Sequence, residues 1–137
     1  MLKVIIILEF REKINYFLAV MAHLIENCRD QNGSRLIQQQ FEKSNEQEKE
    51  HIFSQIIPHA YSLMTDVFGN YVIQKVLELG PVDQKLRLFE AMQGHIQELA
   101  KHTYGCRVVQ RTLEVTRFYE EVNLFSIGIE KQWTSTR

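Results

Sequence analysis

Apolar residues recur along this chain in a fixed frame. Leu36, Ile37 and Phe41 are answered by Val72, Ile73 and Leu77, and again by Val108, Val109 and Leu113. Positions i, i+1 and i+5 lie on one side of a helix, and no glycine or proline interrupts them. Each set opens on a glycine, so that a ten-residue phrase is repeated: Gly33-Ser-Arg-Leu-Ile-Gln-Gln-Gln-Phe-Glu42, Gly69-Asn-Tyr-Val-Ile-Gln-Lys-Val-Leu-Glu78, and Gly105-Cys-Arg-Val-Val-Gln-Arg-Thr-Leu-Glu114. Successive glycines stand 36 residues apart. The same frame collects His23, His59 and His95 in one column and Phe17, Phe53, Phe89 and Phe125 in another. Half of the chain's eight phenylalanines share that column, so the period extends beyond the phrase itself.

A second helix per unit is predicted over 46–57 and Val82–Met92, with Pro81 suited to a helix start. A short third helix, near 61–65 and Ile96–Lys101, precedes each phrase. Residues 10–20 predict the last helix of an incomplete preceding unit, and 118–127 the corresponding helix of the third. No segment alternates with period two, so no strand is expected. Repetition at this length marks units that bury their apolar faces only against neighbours. The expected fold is all-α, an α-solenoid of about three 36-residue repeats. Its divisions are an N-terminal partial repeat or cap helix (1–22), repeats at 23–58, 59–94 and 95–130, the last with a divergent C-terminal part, and a polar tail at 131–137.

Composition narrows the function more than it points to one. A length of 137 residues suits one domain, and 45% apolar with 24% charged residues is ordinary for a globular chain. The net charge of −1 supplies no global basic field for nucleic acid, although a local stripe is compatible with it. Cys28 and Cys106 have no metal or redox spacing, which favours a reduced, cytoplasmic protein. The five apolar residues from Val4 to Leu8 are too few for a signal core or a membrane span. Histidines in equivalent positions of stacked units stand about 10 Å apart. Zinc requires its ligands about 2 Å from one centre, so no metal site is expected. No nucleophile–base pair, HExxH or phosphate loop is present, so neither an enzyme nor a cofactor is expected.

The phrase varies just after its glycine: Ser34-Arg35, Asn70-Tyr71, Cys106-Arg107. Each small polar residue stands four before a glutamine (Gln38, Gln74, Gln110), and at that spacing two side chains share a helical face. Such a pair can offer hydrogen-bonding groups to the edge of a base, while Arg35, Tyr71 and Arg107 are flat enough to stack on its face. Helix capping by Ser34, Asn70 and Cys106 is the competing account, but it leaves the glutamines unexplained. Glu42, Glu78 and Glu114 are expected to bond backbone or a neighbouring repeat.

The phrases, together with Leu63-Met-Thr-Asp-Val-Phe-Gly-Asn-Tyr-Val-Ile-Gln-Lys75, strongly resemble the Pumilio (PUF) family of RNA-binding repeat proteins over residues 9 to 116. The resemblance implies a fragment of a right-handed superhelix that reads one base per repeat. It implies that Ser34 with Gln38 favours adenine, Asn70 with Gln74 uracil, and Cys106 with Gln110 adenine, with Arg35, Tyr71 and Arg107 stacking. Because family members run antiparallel to RNA, the three units would read 5′-AUA-3′. The implied partner is single-stranded mRNA, bound in its 3′ untranslated region by a monomer for control of translation and mRNA stability, alongside protein co-regulators. The units resemble the first three of the family's usual eight. Two other readings stand beside this one: an armadillo- or HEAT-like protein scaffold, and a truncated product with little activity of its own.

Overall fold

The computed structural model describes residues 1–117; Phe125 and the segments expected at 118–127 and 131–137 lie outside the described residues. Within them the chain is helical and contains no strand. It begins with α1 (Leu2–Ala22), followed by α2 (Leu24–Cys28), α3 (Gln31–Lys43) and α4 (Glu46–Ile56). A single 3-10 turn at Ile57–His59 leads into α5 (Ala60–Met64), α6 (Gly69–Leu79), α7 (Val82–Met92), α8 (Ile96–Lys101) and α9 (Gly105–Thr116). The phrases thus form α3, α6 and α9, each preceded by a short helix. These three pack side by side in order, with α6 between the other two.

The apolar columns make the core. Ile37, Phe41, Phe53, Ile73, Leu77, Phe89 and Val108 are buried in one continuous cluster, and Phe17 packs half-buried against it. Each fully buried side chain of this size is worth about 1.5–3 kcal/mol relative to exposure.

The phrase glycines are fixed by close approach. A Cβ on Gly33 would lie 2.5 Å from the Asn27 carbonyl oxygen, and one on Gly105 would lie 2.9 Å from that of Leu99. A Cβ on Gly69 would stand 2.9 Å from the Leu63 side chain. In every unit the obstacle is the residue six positions earlier, on the short helix. Glycine therefore lets each phrase helix close against the helix before it.

The helix starts are set by a column that the sequence reading missed. Asp30 accepts from the backbone N–H groups of Asn32 and Gly33, and Asp66 from those of Phe68 and Gly69. His102 Nδ1 does the same for Tyr104 and Gly105 at 3.0 and 3.1 Å. Ser34, Asn70 and Cys106 are therefore not the caps. They lie inside their helices and donate to carbonyls of the preceding turn. On α4, Asn45 and Glu48 form a reciprocal capping box.

Polar ties join neighbouring units. Arg29 donates to the Ser62 hydroxyl at 2.8 Å and stands 3.9 Å from Asp66. Glu50 accepts from Gln84 and Arg87, and the Arg87 guanidinium covers the Phe53 ring at 4.8 Å. Tyr61 donates to Glu98 at 2.9 Å while its ring rests 4.6 Å from that of His95. That hydrogen bond is the main cause holding the Glu98 carboxyl below its ordinary range and the Tyr61 phenol above its own. Among the described residues Glu114 pairs with Arg111 on its own helix at 3.0 Å.

The N-terminal helix is longer than the 10–20 expected. It starts at Leu2 and leaves Ile7, Phe10, Ile14 and Leu18 exposed, with only Val20 and Met21 buried.

Candidate functional site

Along α3, α6 and α9 the residues after each glycine divide by depth. Ser34 and Asn70 are buried, Cys106 is half-buried, and Arg35, Tyr71 and Arg107 are exposed in a row. Gln38 and Gln74 are half-buried and Gln110 is exposed. The helix brings each small residue and its glutamine to one face, but the three pairs differ in how they are joined.

In the second unit the pair is bonded directly: Gln74 Nε2 donates to Asn70 Oδ1 at 3.0 Å. Asn70 is 0% exposed and gives both amide hydrogens to the carbonyls of Asp66 and Val67. It is held from behind and in turn orients Gln74, whose Oε1 and second Nε2 hydrogen form an acceptor–donor pair. In the first unit the Ser34 hydroxyl reaches back to the Gln31 carbonyl at 3.5 Å. In the third, the Cys106 thiol bonds the Thr103 carbonyl at 3.3 Å.

A groove of about 350 Å³ lies between the first and second units. It is lined by Gln31, Ser34, Arg35, Gln38, Phe68 and Tyr71. Two planar groups, Arg35 and Tyr71, thus border the same space as the Ser34–Gln38 pair. Ser34, Arg35, Gln38 and Tyr71 are residues expected from the sequence. Gln31, which precedes the phrase, and Phe68, which belongs to the following unit, were not expected there.

Between the second and third units the planar residues touch. Arg107 Nη1 donates to the Tyr71 hydroxyl at 2.7 Å. A flat ligand needs about 3.5 Å on either face, so one entering between these side chains must part them.

His23, His59 and His95 stand at the starts of the short helices α2, α5 and α8. His23 and His95 lie 3.5 Å from Glu26 and Glu98, one turn on. Among the described residues no helix is long and apolar enough to cross a membrane.

The two cysteines occupy contrasting sites. Burial pushes the Cys28 thiol up to about 12, with the charge of Arg29 opposing the rise. Cys106 is half-buried in the same column as Ser34 and Asn70. A polar maleimide should therefore label Cys106 in the folded protein and Cys28 only on unfolding, as read by intact mass. Equal labelling under native conditions would contradict the packing around Cys28.

Comparison with protein families matches the Pumilio-family RNA binding repeat three times, over residues 23–57, 59–92 and 95–117. A comparison with curated proteins yields no match. Among solved structures, the Puf3 RNA binding domain bound to a Cox17 RNA 3′ UTR recognition sequence is 43% identical, with a TM-score of 0.70 over 72% of this chain. PUF-8 in complex with PBE-RNA is 38% identical, with a TM-score of 0.66 over 72% of the chain. The Puf4 domain bound to an HO endonuclease RNA 3′ UTR sequence is 30% identical, with a TM-score of 0.70 over 79%. The chain spans only 28%, 29% and 33% of those three domains.

Proposed function

The chain belongs to the Pumilio family of RNA-binding repeat proteins, and from that membership we propose that α3, α6 and α9 bind single-stranded RNA, one base per unit. The observation that carries this reading is the groove in which Arg35 and Tyr71 border the Ser34–Gln38 pair. A base stacked between the planar groups would turn its edge toward that pair. The units at 23–58, 59–94 and 95–130 would read 5′-AUA-3′, with adenine at Ser34–Gln38, uracil at Asn70–Gln74 and adenine at Cys106–Gln110. The Puf3 and Puf4 domains are bound to 3′ UTR sequences, which supports mRNA 3′ untranslated regions as the target; control of translation and mRNA stability in the cytoplasm is the role we infer from the family. Each stack contributes about 1–3 kcal/mol. Three of them, set against the cost of ordering a flexible strand, predict modest affinity.

The second unit gives the sharpest test. Asn70→Ser removes the amide that fixes Gln74 and restores the polar pair of the first unit. The preference should move from uracil toward adenine when AUA- and AAA-bearing oligonucleotides are titrated side by side. An unchanged preference would remove Asn70 from base selection. If replacing Gln38, Gln74 and Gln110 together with alanine leaves binding intact, the reading fails and a protein scaffold becomes the better account.

A further inference from the structure

The first unit differs from the other two at one position that borders the groove. Helix α3 starts at Gln31, two residues before its glycine, whereas α6 and α9 start on theirs. The residues equivalent to Gln31 are Val67 and Thr103. Gln31 is exposed, lines the groove, and shares one face of α3 with Ser34, Arg35 and Gln38, at intervals of three, four and seven residues. Only the first unit therefore carries an extra amide on its reading face.

Distances along the helix say what that amide can reach. Ser34 and Gln38 are separated by about 6 Å of helical rise, a span suited to the edge of one base. Gln31 lies about 4.5 Å further toward the helix start, beyond that edge. Charge then favours one direction for the strand. One turn past Gln38 stands the exposed carboxylate of Glu42, where the negative end of the helix dipole adds to it. A phosphate is disfavoured there. Toward the helix start Arg29 is exposed, bonded to Ser62 and 3.9 Å from Asp66; Arg35 stands one turn after Gln31, and one oxygen of the Asp30 carboxylate accepts from two backbone N–H groups.

We propose that Gln31 is a fourth contact residue of the first unit and holds the ribose–phosphate of the nucleotide whose base lies between Arg35 and Tyr71. The amide offers both a donor and an acceptor, so it can serve a phosphate oxygen or a ribose 2′-hydroxyl. A contact of this kind positions the nucleotide without selecting its base. The proposal rests on the reading of the groove as a base slot, and its test separates the two.

The test compares Gln31→Val, which installs the residue of the second unit, with Gln38→Ala and the unchanged protein. Each is titrated with fluorescent RNA ending in AUA-3′. Gln31→Val should weaken binding about two- to tenfold, the value of one hydrogen bond. The loss should be the same whichever base occupies the 3′-terminal position, and it should vanish when that nucleotide is deleted. A 2′-deoxy substitution at that nucleotide identifies the oxygen: the difference disappears for a ribose contact and persists for a phosphate contact. Binding unchanged by Gln31→Val but weakened by Gln38→Ala would overturn the proposal and leave the slot standing. A loss that varies with the terminal base would also overturn it, by making Gln31 an edge reader. If neither variant weakens binding, the slot reading itself falls.

Discussion

Phe53→Ala should lower stability by about 3–5 kcal/mol, the usual cost of emptying a buried phenylalanine site. Phe53 is fully buried in the continuous core, and the Arg87 guanidinium of the following unit lies over its ring. The substitution therefore opens a cavity and also strips a tie between two units. In a solenoid, stability is the sum of unit terms and nearest-neighbour terms, and about three units are needed to hold a fold. A loss of this size compares with the whole stability of a small domain. A urea titration followed by far-UV circular dichroism measures it, with Phe17→Ala as a control from the same column. Phe17 is only half-buried, so its replacement should cost clearly less. Equal costs at the two positions would contradict the burial pattern.

Tyr71→Ala should cause the largest loss of RNA affinity of any single replacement on the reading face. Tyr71 borders the groove with Arg35 on one side and touches Arg107 on the other, so its ring is the wall common to two slots. Removing it takes away two stacking faces at about 1–3 kcal/mol each, or roughly thirtyfold in affinity at the low end. Tyr71 is 40% exposed and lies outside the buried core, so the fold should survive, which a melting curve will show. Tyr71→Phe separates the ring from its hydroxyl. It keeps both stacking faces but releases Arg107 from the 2.7 Å hydrogen bond that a base must part. It should therefore bind RNA at least as tightly as the unchanged protein. If Tyr71→Ala binds normally, stacking between units is not how this chain holds its ligand.

The architecture was readable because its strongest signals repeat. The apolar pairs and the phenylalanine column predict buried positions, and Val82–Met92 and Ile96–Lys101 form helices over the residues expected. The first residues were not readable in the same way. The run Val4–Leu8 is apolar without periodicity and rich in β-branched residues, so nothing in it marks a helical face; yet α1 begins at Leu2. The cap column was hidden because its third member is His102, whose role depends on a ring nitrogen rather than a carboxylate. For the site, spacing placed the reading pairs on one face but said nothing of depth. Asn70 follows a glycine that closes against α5, and so it is buried and acts through Gln74. Gln31 and Phe68 escaped because a groove between units draws on positions that no single phrase contains.

The placement of α6 between α3 and α9 governs how the molecule breathes. Opening α6 exposes two packed flanks at once, whereas opening α3 or α9 exposes only one against another phrase helix among the described residues. Amide hydrogens of α6 should thus be the last to exchange with solvent. The slowest-opening segment then carries Tyr71 and Gln74, and the nucleotide held at the centre of the ladder would sit on the most persistent part of the fold.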